Sequence, residues 1–383
     1  EIHSGDWSSD VCSSDLNTLF STTNYHIDFY QREYKWTGDE VGRLVEDIFY
    51  HFDQPYAKHG DLDPTEANVQ ANYSWYYLNT YITNRAEGRI FVVDGQQRLT
   101  TLTLMLIALY HMCGPDTHDL PKLRNWLSAK IAGVGVGGET QFWMAHDKRD
   151  ALMQALFEAR TPGPDVIDDG ITARHIIENY GLIQKELSSR LPDRHKTETF
   201  IYYFLCMVVI INLEVARTDV PMVFEVINDR GVRLQPYEIL KGKLLGEIHP
   251  DEVDDYADIW DRGVYRLEAR PGDEADSFFR TYLRARFANT REEGRAFDGP
   301  YHRTIFEGRA EDTLHLKRNP QGVKSFLKGP FRSYANLFLR LSELGAEATS
   351  SFPECYYNSQ LNRMDGHIML ALAACEVDDP DAD

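Results

Sequence analysis

The sequence predicts an α+β chain, with strands and helices mixed over residues 17–247 and helices alone over residues 248–383. Three observations carry this expectation. A buried-strand pattern, Arg89–Val93 (RIFVV), runs through an Asp94-Gly95 turn into a strongly apolar helical stretch, Gln96–Met112. The alternating Tyr25–Phe29 and the long apolar run Phe200–Val215 read as further strands. After residue 250 the pattern is helical, and no internal repeat is present.

The elements follow in order. Thr37-Gly38-Asp39-Glu40 fits a capping box, and the helix it starts runs to about Phe52 with Val41, Leu44, Val45, Ile48 and Phe49 on one face. Residues 53–72 are polar and loop-like. Tyr73–Thr83 is rich in aromatic and β-branched residues, as expected of a strand or of a short helix feeding one. Residues 113–200 read as polar helices broken by Gly133–Gly138 (GVGVGG). Pro236 suits the first position of a helix reaching about Glu247.

Composition narrows the function classes. With 383 residues the chain is long enough for two or three domains of roughly 150 residues. Hydrophobic residues make up 43%, which excludes global disorder. Lys plus Arg number 40 against 60 Asp plus Glu, a net charge of −20, so the chain is not a general polyanion binder. Thirteen bases against six acids over residues 280–340, interleaved with Tyr282, Phe287, Phe306, Phe326 and Phe331, nevertheless offer a local basic face for a nucleic-acid backbone; the preceding acidic block, 251–279, reads as solvated. No segment reaches the ~18–20 apolar residues of a membrane span. Five Cys without a CxxC pair or zinc spacing point to free thiols in a reducing cytoplasm.

Both ends read as foreign or cut. The run Asp6–Leu16 (DWSSDVCSSDL) resembles a translated sequencing-library adapter, so residues 1–16 are expected to be non-native and ordered against nothing. Glu376–Asp383 (EVDDPDAD) stops without a closing element, as a truncated helical domain would.

The chemistry concentrates at Asp94-Gly95-Gln96-Gln97-Arg98. A strand-to-helix junction presents free N–H groups and the positive end of a helix to an anion. Gly95 would let the backbone approach a phosphate, Arg98 would add a clamp, and Asp94 would orient magnesium or an attacking water. The spacing equally allows Asp94 as an N-cap with Gln97 three residues on, a capping-box variant that needs no ligand.

Three blocks in order carry a resemblance: Tyr30-Gln31-Arg32 with Tyr34 and Trp36; Val93 through Leu102 (VDGQQRLTTL); and Phe224, Ile227, Asn228, Arg230, Gly231 and Leu234 with Lys241. Over about residues 17–247 the chain resembles the GmrSD-type restriction endonuclease family, whose N-terminal domain has a ParB/sulfiredoxin-like fold. The resemblance implies a nucleoside-triphosphate-hydrolysing module that defends a prokaryotic cell against phage DNA, often modified DNA. It gives Asp94, Gln97 and Arg98 the catalytic roles and Asp94 a Mg2+ ion. Gly95, Gln96 and Thr100 fall in the same block as nucleotide-binding residues. Tyr30, Gln31 and Arg32 would close over the pocket, and Asn228 and Arg230 would line it. Lys241 either reaches a phosphate or stands as an exposed helix lysine. Relatives usually carry an HNH nuclease domain after this region; His249, His302, His315 and His367 lack that neighbourhood, so nuclease activity is not expected of residues 1–383. The partners implied are a nucleoside triphosphate and DNA, with no membrane, and a homo-oligomer stays open. The rival reading is a non-catalytic DNA-recognition module gripping backbone phosphate with the same loop.

Weaker patterns fall away. Gly133-x-Gly135-x-x-Gly138 matches the dinucleotide fingerprint by letters, without the strand and helix that motif needs. His111 reads as a helix C-terminal cap rather than a ligand.

Overall fold

The computed structural model describes residues 11–21, 23–27, 34–86, 88–135, 137–145, 150–162, 171–216, 235–269, 274–346, 348, 352–362, 364 and 366–377. The chain is α+β and divides into two units, the first comprising residues 1–28 and 32–220 and the second residues 29–31 and 221–383.

The first unit is built on a six-stranded mixed sheet in the order β1 (Val11–Asp15), β8 (Val208–Glu214), β3 (Tyr76–Ala86), β4 (Arg89–Asp94), β2 (Tyr25–Ile27), β7 (Met144–Ala145). β3 and β4 form an antiparallel pair, while β2 runs parallel to β4 with Ile27 opposite Val92. The helices are α1 (Leu16–Leu19), α2 (Gly38–His59), α3 (Glu66–Asn72), α4 (Gln96–Met112), α5 (Pro121–Ile131), α6 (Asp150–Phe157), α7 (Ile171–Arg190) and α8 (Arg194–Cys206). From Leu99 to Leu109 α4 is buried on every side, which is why its sequence shows apolar residues without a polar stripe. α2 starts at the expected capping box, with Glu40 accepting from the Thr37 N–H at 2.9 Å.

Several expectations need correction. α2 runs on through Pro55 to His59, and α3 follows, capped by Thr65, so residues 53–72 are largely helical. Phe200–Cys206 is helix, not strand: Asp193 accepts from the Lys196 N–H to start α8, and only Val208–Glu214 extends. A short apolar run buried on all sides carries no periodicity to separate the two states. The glycine-rich Gly133–Gly138 joins the hairpin strands β5 (Ala132–Val134) and β6 (Thr140–Phe142), so it cradles no dinucleotide.

The amino-terminal segment is the largest departure. Val11–Asp15 pairs antiparallel with β8, Asp15 caps α1 by accepting from the Thr18 N–H at 2.8 Å, and Leu16 is fully buried. The strand pairs through main-chain groups that any sequence carries, so a segment with no periodicity still completes an open sheet edge. Deleting residues 1–16 is therefore expected to destabilise the first unit by about 2–4 kcal/mol, the sum of one buried Leu and one helix cap. An unchanged melting temperature would restore the expectation that these residues order against nothing.

Among its described residues the second unit has helices joined by turns and no strand. α9 (Pro236–Leu245) begins with proline at its first turn, as expected, and is followed by α10 (Pro250–Glu268) and α11 (Glu274–Phe287). Trp260 of α10 stacks on Phe279 of α11 and on Phe331, ring centroids 5.3 and 5.0 Å away. The basic block is partly neutralised within the unit. Arg280, Arg284, Arg286 and Lys324 pair with Asp276, Asp298, Glu376 and Glu252, and Lys328 lies over the Tyr256 ring. Two of those carboxylates belong to the acidic block, which is thus partly a partner for the bases rather than a wholly solvated face.

Candidate functional site

Residues Asp94–Arg98 form the strand–turn–helix junction that the sequence indicates. Asp94 ends β4 and is exposed; Gly95 stands between strand and helix with φ +93°; α4 begins at Gln96. Gly95, not Asp94, is the N-cap, and a glycine has no side chain to cap the helix with. The capping-box alternative is thereby overturned, because its proposed cap residue still belongs to the strand.

The glycine serves a contact within the fold. A Cβ at Gly95 would stand 2.7 Å from the Cβ of Tyr81 and 3.2 Å from its Cα, so the close approach that Gly95 allows is to β3. Tyr81 is held in turn by Tyr25, whose hydroxyl lies 3.1 Å from its own. The expectation that Gly95 serves a phosphate's approach is corrected to this extent: its missing Cβ makes room for a strand.

Arg98 is half-buried and folds toward the same strand, donating from Nη1 to the Thr80 carbonyl at 3.0 Å. Burial pulls the guanidinium below its ordinary pKa, opposed by the negative charge of Asp94. One of its five N–H donors serves Thr80 in this way. Gln97 is buried and turned inward: its Oε1 accepts from the backbone N–H groups of Lys35 at 2.7 Å and Trp36 at 3.2 Å. Thr100 is sealed in the core with no hydrogen-bond partner for its hydroxyl among the described residues. Gln96 is likewise buried.

The remaining candidates are dispersed. Tyr30, Gln31, Arg32, Asn228 and Arg230 lie outside the described residues. Lys241 belongs to the second unit, where it is buried and its Nζ pairs with Asp261 Oδ1 of α10 at 2.7 Å. His111 does not cap its own helix as expected: its Nε2 lies 3.0 Å from the Leu156 carbonyl, so the ring ties α4 to the end of α6. Among the described residues no group of three or more His, Cys, Asp or Glu side chains is placed to hold a metal. Cys113 and Cys206 are free thiols that burial pushes up to about 12, well away from reactivity at neutral pH.

Sequence reasoning missed Asn179. Its Nδ2 donates to the Trp36 carbonyl at 2.6 Å and to the Tyr34 hydroxyl at 3.2 Å. That hydroxyl lies 2.8 Å from Thr101 Oγ1, and Thr101 donates back to the Gln97 carbonyl at 2.8 Å. The signal was present: Asn179 interrupts the buried stripe Ala173, Ile176, Ile183, Leu187 of α7.

A search of curated proteins returns no match. Residues 16–245, well over half of the sequence, match the family model of the GmrSD restriction endonuclease N-terminal domain, and the chain belongs to that family.

Proposed function

We propose that the chain is the nucleoside-triphosphate-hydrolysing module of a GmrSD-type restriction protein, with the triphosphate bound at the β4–α4 junction. A restriction endonuclease family implies DNA as a partner. The observation that carries the reading is the geometry at the start of α4, a 17-residue helix entered through a left-handed glycine beside the exposed Asp94. The N–H groups of a first helical turn and the helix dipole favour a phosphate there.

The donor set suits magnesium that arrives with the nucleotide. Mg2+ is commonly held by one or two carboxylates together with substrate phosphates, and Asp94 supplies one exposed carboxylate where the phosphates would lie. Bound there, the ion would neutralise phosphate charge. Asp94 would hold it, the first turn of α4 would orient the phosphates, and Arg98 would turn its remaining N–H donors to the same anion. Gln97 takes no reacting role in this reading, because its side-chain carbonyl already serves the Lys35 and Trp36 backbone.

The test is phosphate release from GTP, ATP, CTP and UTP, with and without modified and unmodified DNA. Turnover of at least one triphosphate is expected. DNA binding with no turnover of any of the four would assign the junction to backbone phosphate instead. Arg98→Ala should weaken triphosphate binding by roughly 10–150-fold, the loss of a charge-assisted hydrogen bond worth about 1.5–3 kcal/mol. It should also cost about 1 kcal/mol of stability through the lost bond to Thr80. Equal nucleotide affinity in variant and parent would remove Arg98 from the site.

A further inference from the structure

We infer that Asn179 is a positioning residue for the β4–α4 junction, acting through a clasp that fixes the Tyr34–Trp36 segment against the first two turns of α4. The inference rests on the nucleotide reading of that junction.

The clasp is made of hydrogen bonds between groups distant in sequence. Gln97 Oε1 receives two consecutive backbone N–H groups, from Lys35 and Trp36. The Tyr34 hydroxyl meets Thr101 Oγ1 one helical turn further along α4. Asn179, on α7, closes the ring by giving one N–H to the Trp36 carbonyl and one to the Tyr34 hydroxyl. Burial pushes the Tyr34 phenol up to about 12, so it remains a neutral partner across the working pH range.

Burying an amide in a core is unfavourable unless its polar atoms are bonded. Asn179 is almost fully buried among the apolar residues of α7, so its presence there is accounted for by the two bonds it donates. Those bonds hold a backbone segment rather than complete a helix or a sheet. The segment in turn holds the side chain of Gln97, the second residue of the turn whose N–H groups would meet the phosphates. A release of the segment therefore disturbs the first turn of α4 without opening the core beneath it.

The experiment uses the full chain with Asn179→Leu, which keeps the branched side-chain outline, adds some bulk and removes both donors. Tyr34→Phe deletes one hydroxyl from the same clasp and serves if the first variant folds poorly. Circular dichroism and thermal melting report folding, acrylamide quenching of Trp36 fluorescence reports the segment, and steady-state turnover of the accepted triphosphate reports the site. Trp36→Phe supplies the background from the other tryptophans. We expect folded variants in which Trp36 becomes more quenchable and KM rises roughly tenfold or more, with kcat much less affected. Unchanged Trp36 quenching in both variants would overturn the clasp. A more accessible Trp36 with KM and kcat unaltered would reduce Asn179 to a structural role and overturn the positioning claim. A parent that turns over none of the four triphosphates would sink the nucleotide reading and the positioning role with it. Quenching would still show whether the clasp exists, so the two failures are told apart.

Discussion

Gly95→Ala should destabilise the first unit by about 2–5 kcal/mol and take nucleotide binding with it. Two costs combine. A non-glycine residue held in the left-handed region loses about 1–2 kcal/mol relative to its preferred backbone, and Gly95 sits at φ +93°. Forcing a methyl group into a filled space costs about 1–3 kcal/mol more. The space is filled by Tyr81 Cβ at 2.7 Å and Tyr81 Cα at 3.2 Å from the position the new Cβ would take. Neither atom is the flexible end of a side chain. The strand can yield only by sliding away from α4, and β3 is paired on both edges, with β4 and β8. Denaturant titration of the variant measures the effect directly. A loss below about 1 kcal/mol would mean that α4 moves on β3 at little cost, and that the junction lacks the rigidity a phosphate site needs.

That contact also marks how far the junction was legible in the sequence. Asp94-Gly95 between an apolar strand and an apolar helix is a local pattern, and the structure follows it to within a residue. What Gly95 touches is not local. Tyr81 lies on the neighbouring strand, and nothing in the DGQQR run identifies it. Gln97 shows the same limit more sharply. A glutamine at the start of a helix beside an arginine fits a phosphate ligand by residue type, yet its carbonyl meets the backbone of Lys35 and Trp36, about sixty residues upstream. Residue type states what a side chain is able to bond; only the fold decides which partner reaches it first.

The same distinction explains the other departures. The Phe200–Cys206 run is as apolar as a buried strand, and its capping residue, Asp193, lies seven residues before it, outside the run that carried the strand reading. The charge imbalance over residues 280–340 was plain in the sequence, whereas its partial neutralisation by Glu252 and Asp276 required the packing of the second unit. Pairing of Val11–Asp15 with β8 depends on main-chain groups and so leaves no trace in side-chain pattern.

Asp94→Asn should leave the fold intact and lower triphosphate hydrolysis by about a hundredfold or more, equivalent to about 2.7 kcal/mol or more of barrier. Asp94 is not the N-cap of α4, since Gly95 holds that place, and Asn keeps an acceptor oxygen wherever Asp94 uses one. It is exposed at the end of β4, and its visible electrostatic partner is Arg98, whose charge it supports against burial. Removing the charge of an exposed carboxylate beside the half-buried Arg98 should cost about 1 kcal/mol. Asn keeps the shape and one acceptor oxygen of Asp but not the negative charge that a hard divalent cation requires beside phosphates. Folding and hydrolysis should therefore separate cleanly, the first nearly unchanged and the second strongly reduced. Raising magnesium tenfold should recover part of the lost rate if the defect is in holding the ion. DNA binding should keep the parent's affinity and its fall with rising salt, because phosphate contacts made elsewhere do not involve Asp94. Circular dichroism, triphosphate turnover at two magnesium concentrations and salt-dependent DNA binding, measured on one preparation, decide the matter. A folded Asp94→Asn variant with the parent's turnover would end the assignment of Asp94 as metal holder and leave the junction as a phosphate-gripping surface without chemistry of its own.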